Sequence, residues 1–417
     1  MSQLVIPDKL EKILKTDYTL HSIVENTVAT FSKLLYESKL YFFEEYTDHG
    51  SDHVQKVLKA AEDIISEDTF ALLSAKDTAV LILAVLLHDI GMHTEFATFK
   101  AFVENNSYDN VKEASLDQKN WSQLWEEYLD EVKKFSGKQR LAVFGDENVE
   151  YRRPSLIRKD DLSGIDKKLI GEFIRRHHPR IAYEIAFNGI VGANDQFIEF
   201  AHGLPDMLRK LSAIVARSHG IAIRNTYDYL ESIADRAWKK PDQVNVIFLM
   251  VTIRIADYFQ FGSDRINPEF LKVKTFSSPI SAFEHSKHLS IEFIKPDVSD
   301  PETLFVKCNP DSSKMYLSIK NLFIDIQNEL DVSWAVLGEI YGSYQLDKQL
   351  KIRYRRVNSN LSSRSLLNSI SYVPEEISFK ADVELPKLLV APLYGNDPSY
   401  GVREMTQNAV DACRERV

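Results

Sequence analysis

A mostly α-helical chain with a small α+β module in its second half is the fold class that the sequence predicts. Three observations lead there. Apolar residues recur at three- and four-residue spacing through most of the first half, as in amphipathic helices. One run, Ala79 to Leu87, is apolar throughout. After Gly262 the pattern changes, and several segments alternate apolar and polar residues as half-buried strands do.

Residues 8–47 carry Leu10, Ile13 and Leu14, then Ile23, Val24, Val28, Phe31, Leu34 and Leu35, and read as helix with few breakers. Gly50 and Ser51 suggest a turn, with Ser51 or Asp52 capping the next helix. Val54, Val57, Leu58, Ala61, Ile64 and Ile65 give that helix one apolar face, with His53 in its first turn. Asp77 is a candidate cap for the following helix, which stops at Gly91 and holds His88 and Asp89 in its last turn. Residues 94–160 are aromatic and charged, with a loop from Gly145 to Pro154. Asp166 to His178 reads as a helix ended by Pro179, because proline disfavours helical geometry at the residue before it. Pro205 to His219 is helical and closes on Gly220. Val244 to Tyr258 is helical, apolar almost all round, and carries Asp257.

Strands are expected at His288–Lys295, Thr303–Cys308, Met315–Ile319 and Leu350–Val357, and a helix over Asn321–Leu346. The domain plan is therefore an N-terminal helical segment (1–45), a helical domain (46–265), a small α+β module (270–365) and a separate C-terminal piece (373–417). The basic strand face Lys351, Arg353, Arg355 and Arg356 reads as solvated surface.

The 417 residues are 44% hydrophobic, enough for sizeable cores, and the net charge of −10 disfavours broad binding to nucleic acid. Two cysteines, Cys308 and Cys413, build neither a disulfide framework nor a cysteine zinc site. The start lacks a signal-peptide pattern, and the longest apolar run is far below the roughly 20 residues a bilayer needs. The expectation is a soluble cytoplasmic protein without a membrane partner.

His88 and Asp89 are ionisable residues closing an apolar run, and an unpartnered buried carboxylate costs several kcal/mol. A metal ion would remove that cost. Further candidates follow at predicted helix ends: His53, His178, His219 and Asp257. Imidazole and carboxylate suit Zn, Mn and Fe, while Mg favours oxygen. One ion is expected at His53, His88, Asp89 and Asp257, and a second at His178 and His219, with Asp89 as the bridge. Two such ions clamp the oxygens of a phosphoryl displacement and lower the pKa of water. Arg175, Arg176, Arg180 and Arg217 are candidates for neutralising substrate phosphates. His49, one turn before His53, is a candidate proton donor to a leaving oxygen.

The set His53, His88-Asp89 and Asp257 resembles the HD-domain metal phosphohydrolase superfamily over roughly residues 40–265. His178 and His219 resemble the additional histidines of its dinuclear and trinuclear branches. His49 and His53 resemble the paired histidines of cyclic-nucleotide phosphodiesterases, where the first is a general acid. The resemblance implies an all-helical domain and a phosphohydrolase or phosphodiesterase acting on a nucleotide or cyclic nucleotide. A nucleotide-sensing regulatory domain and a metal-dependent nuclease are the alternatives. Some branches place a lysine directly after the His-Asp-x-Gly unit, where this chain has Met92 and His93. That departure leaves the substrate class open. The expected partner is a nucleotide or small phosphorylated substrate, with nucleic acid less favoured and a homo-oligomer admitted.

The last segment carries a second motif, Arg403-Glu404-Met405-Thr406-Gln407-Asn408-Ala409-Val410-Asp411-Ala412. Glu404, Asn408 and Asp411 share a helix face at spacings of four and three. A carboxylate that orients water and an amide that holds Mg²⁺ suit ATP hydrolysis. The segment resembles the start of the GHKL ATPase domain, in its heat-shock-chaperone branch. The resemblance implies Glu404 as general base and Asn408 as Mg²⁺ ligand lying against the nucleotide phosphates, with Asp411 a further cofactor-binding candidate. The Asp-x-Gly-x-Gly loop and glycine-rich lid of that family do not follow, so ATP and Mg²⁺ are expected only with a longer protein. An HD domain joined to such an ATPase resembles bacterial conflict or stress proteins.

Overall fold

The computed structural model describes the chain except for residues 1–3, 38–39, 44–49, 193–195, 261–278, 343–349, 376–397 and 415–417. The chain divides into two units, Met1–Tyr372 and Val373–Val417.

The first unit is built around α5 (Ala75–Leu87), which is buried on nearly every side. Before it come α1 (Asp8–Leu14), α2 (Tyr18–Glu37), α3 (Ser51–Ile64) and the single turn α4 (Glu67–Phe70). After it come α6 (Phe96–Asn105), α7 (Trp121–Val132), α8 (Gly137–Phe144) and the long α9 (Gly164–Asn188). A two-stranded antiparallel ribbon, β1 (Ile190–Val191) with β2 (Phe197–Ile198), leads to α10 (Asp206–Arg217), α11 (Tyr227–Ala234) and α12 (Val246–Tyr258). The mostly helical expectation holds. Among the described residues, no single helix is long and apolar enough to cross a membrane.

Helix starts are set by local chemistry. Ser74 caps α5, and Asp77 returns a bond to the Ser74 amide, so Asp77 completes a capping box at the third helical position instead of capping a helix of its own. The same Asp77 accepts from the backbone N–H of Asn245 at 2.6 Å and from its side-chain amide, which ties the start of α5 to the start of α12. Each helix is 13 residues long. Pinned together at one end, they deliver His88 and Asp257 at the same level of the bundle, about 20 Å away at 1.5 Å per residue.

The remainder of this unit holds α13 (Pro279–Leu289), β3 (Ile291–Pro296), β4 (Thr303–Cys308), α14 (Ser313–Tyr341), β5 (Arg356–Ser359) and α15 (Arg364–Ser369). β3 and β4 are antiparallel, and β4 and β5 are parallel, with α14 as the crossover. This sheet is joined to the helical bundle by backbone: Ile352 bridges Ile65, and the Arg353 N–H donates to the Ile64 carbonyl at 2.7 Å.

Several expectations are corrected. Residues 8–47 do not form one helix, because a break at residues 15–17 separates α1 from α2. Met315–Ile319 is helix: Ser312 caps α14, and Met315, Ile319, Phe323, Ile326 and Leu330 make one buried stripe. Strand structure near 350–357 is confined to Arg356–Ser359 plus the single bridge at Ile352. His288 lies in the last turn of α13, and β3 begins three residues later at Ile291. Helix α9 does not stop at His178 but runs through Pro179 to Asn188.

In the second unit the described helix is α16 (Pro398–Arg414), on which Glu404, Asn408 and Asp411 are all exposed. Gln407 donates to Asp411 at 3.0 Å.

Candidate metal centre

Six sequence-predicted ligands come together. His53 enters from the first turn of α3, and His88 and Asp89 from just beyond α5. His178 is inside α9, His219 is in the turn after α10, and Asp257 is in the last turn of α12. They form two clusters, His53–His88–Asp257 and Asp89–His178–His219, in each of which the donor atoms lie within 4.8 Å of one another.

Asp89 joins the clusters. Its Oδ2 lies 3.3 Å from His53 Nε2 and 3.4 Å from His88 Nε2. Its Oδ1 lies 3.3 Å from His178 Nε2 and 4.0 Å from His219 Nε2. Asp257 Oδ1 closes the first cluster at 3.6 Å from His53.

The imidazole tautomers follow from the backbone. His88 Nδ1 donates to the Val85 carbonyl at 2.7 Å, His178 Nδ1 to Arg175 at 2.7 Å, and His219 Nδ1 to Ala216 at 2.5 Å. Each partner is three residues back. For His88 and His219 the helix has just ended, and its last carbonyls lack in-helix partners. For His178 the helix continues, but Pro179 has no N–H to give the Arg175 carbonyl. With the proton fixed on Nδ1, the Nε2 lone pair faces inward. His53 and His88 then bring their Nε2 atoms to 3.2 Å, and His178 and His219 to 2.8 Å.

Between His178 and His219, where both Nδ1 atoms donate to carbonyls, the facing lone pairs repel unless a cation lies between them. Two nitrogens bound at about 2.0–2.1 Å to one ion, at ordinary angles, are separated by roughly 2.8–3.4 Å. Both pairs fall in that range, so the donor set fits divalent ions. The carboxylates also make the centre favourable for positive charge, which a proton on His88 or a bound cation can supply. Burial works against charge on His88, but Asp89 and then Asp257 outweigh it and raise its pKa to about 9. Burial, with His178 and His88 as neighbours, lowers His219 to about 4. Burial opposes ionisation of Asp257 as well, yet the nearby histidines hold its pKa below the usual carboxylate range.

Two glycines allow the close packing. A Cβ on Gly91 would lie 2.6 Å from the His178 carbonyl oxygen. One on Gly220 would lie 2.3 Å from the Pro179 ring.

The other predicted residues are placed differently. Arg217 is buried and held by both oxygens of Asp117 at 2.7 and 2.8 Å. Arg176 is bonded to Glu131 and Glu172, and Arg175 to Glu172. Arg176, Arg180 and Arg217 line a pocket of about 340 Å³ with Asp117, Lys119 and His177; Arg175 is not in its lining. His49 lies outside the described residues. Sequence reasoning missed Asp117 and Arg254. The second had a signal: an arginine inside an almost wholly apolar helix needs a buried acceptor.

A family model described as HD-CE matches residues 43–332, more than half of the chain. No curated protein and no solved structure matches.

Proposed function

The chain belongs to the HD-CE family, and from this we propose that it is a metal-dependent phosphohydrolase or phosphodiesterase acting on a nucleotide or cyclic nucleotide. The observation that carries the reading is Asp89, whose two oxygens face different histidine pairs. In this reading His53, His88, Asp89 and Asp257 hold one ion, and Asp89, His178 and His219 hold another. Bound divalent ions supply Lewis-acid polarisation of a phosphoryl oxygen and acidify water.

The residues contribute the rest. The three Nδ1 bonds keep the rings oriented before substrate arrives. Arg176 and Arg217 favour a phosphorylated ligand in the adjoining pocket, and the acidic partners of both tune that preference. Asp89 as catalytic bridge and His49 as proton donor belong to the same reading.

For the second unit we propose coupling to a chaperone-like ATPase in a longer protein, with Glu404 as base and Asn408 and Asp411 toward Mg²⁺ and nucleotide. This reading rests on the sequence motif Arg403–Ala412 alone.

The test uses purified full chain with Mn²⁺ against nucleotides, cyclic nucleotides, cyclic dinucleotides and single-stranded nucleic acid. Turnover that disappears in the His88→Ala/Asp89→Ala double variant supports the enzyme. Fewer than one ion per chain in the unaltered protein overturns it, and tight nucleotide binding without turnover favours a sensor.

A further inference from the structure

Arg254 lies on α12 one turn before Asp257, with its side chain about 10% exposed. Its guanidinium is bonded on two sides. Nη1 donates to the backbone carbonyls of Ser218 and Ile221, the latter at 2.5 Å. Nε and Nη2 donate to the two oxygens of Glu329 at 2.5 and 2.8 Å. Glu329 belongs to α14, and its side chain is 12% exposed.

The two carbonyls bracket His219. The turn that carries this ligand is therefore held by Arg254 on one side. On the other it is pressed against Pro179, where Gly220 leaves no room for a Cβ. An arginine fork suits the task, since it offers paired donors in a fixed plane to a carboxylate while another nitrogen reaches the backbone. Lysine, as a point donor, does neither together. Without Glu329, the guanidinium would be a buried charge without its counter-charge, a condition that costs several kcal/mol. Arg254 would then leave the turn for water.

We infer that Arg254 is a positioning residue for His219 and that Glu329 fixes it there, so that α14 of the α+β module sets the Asp89–His178–His219 half of the centre. The ligands themselves do not require this segment. Yet the HD-CE match extends to residue 332, well past Asp257 and through Glu329. The inference rests on the two-ion reading for its consequence, but not for its geometry.

The experiment has two readouts on the full chain. The first is hydrogen exchange of amides at 216–223 in metal-free protein. The second is calorimetric titration with Mn²⁺ alone. Glu329→Gln is compared with Glu339→Gln, which breaks the exposed Arg224–Glu339 contact of the same helix without touching the turn. In Glu329→Gln, exchange at 216–223 is expected to rise about tenfold or more, and the weaker Mn²⁺ event to lose about 10–100-fold in affinity, as for other residues that orient ligands. The tighter event and Glu339→Gln should be unchanged. Arg254→Lys should match Glu329→Gln, and it also serves if Glu329→Gln fails to fold. Unaltered exchange in Glu329→Gln, or equal effects in Glu339→Gln, overturns the inference. Faster exchange in a protein that binds no Mn²⁺ overturns the metal reading and leaves the positioning role intact.

Discussion

The Nε2 atoms of His178 and His219 face each other across 2.8 Å, with both Nδ1 protons committed to backbone carbonyls. Removing one ring should therefore empty one half of the centre. His178→Ala is expected to take up one ion instead of two, with the remaining affinity within about threefold. His53→Ala should lose the other ion. Asp89→Ala should weaken both by at least about 10–100-fold, the size found for outer partners of ligands. Elemental analysis after gel filtration in trace Mn²⁺ separates the three patterns.

Pro179 should separate stability from metal binding. Pro179→Ala restores an N–H that competes for the Arg175 carbonyl, and frees His178 to rotate. Interior proline costs about 3 kcal/mol, which offsets the packing lost against Gly220. The urea midpoint is expected to hold or rise while affinity for Mn²⁺ at one site falls about tenfold. Equal Mn²⁺ affinity would sink the tautomer argument.

Asp77 joins the helices that lead to His88 and Asp257, through a capping box and bonds to Asn245. Asp77→Ala removes one half of the capping box and leaves buried donors at the start of α12. A loss of about 2–3 kcal/mol is expected in denaturant titration, from the cap and the charged hydrogen bonds together.

Glu184 supplies a pH dependence. It is buried on α9 with Arg180, Trp121, Asp117 and Tyr108 around it. Burial is the dominant influence and lifts its pKa to about 7 from the ordinary 4.5, although the Arg180 guanidinium favours the charge. The folded state then holds a proton that the unfolded chain releases. This contribution is full below about pH 4.5 and is lost as pH rises through about 7. Against Glu184→Gln, the wild-type urea midpoint should decline between pH 5 and pH 8, and a parallel pair of profiles would refute the shift.

Most of the six-residue cluster was legible because polar residues at the ends of apolar helices are conspicuous. His53, His88, Asp89, His219 and Asp257 stand in or just beyond the end turns of their helices, whereas His178 lies inside α9. Pro179 misled, because its effect on the preceding residue is a tendency that a long packed helix overrides. Met315, Leu317 and Ile319 alternate like a strand, and only the wider stripe to Leu330 reveals the helix. The Arg254–Glu329 pair spans two elements that no local pattern relates. Likewise, nothing near Arg217 in sequence points to Asp117.

The three histidine bonds to carbonyls have a consequence for mutational robustness. Their acceptors are main-chain atoms, so no side-chain truncation at Val85, Arg175 or Ala216 deletes them. The orientation of the rings is encoded in where α5 and α10 stop and in one residue that lacks an N–H. Insertions or deletions near these helix ends are therefore changes to which the centre is vulnerable, as it is to substitution of Pro179.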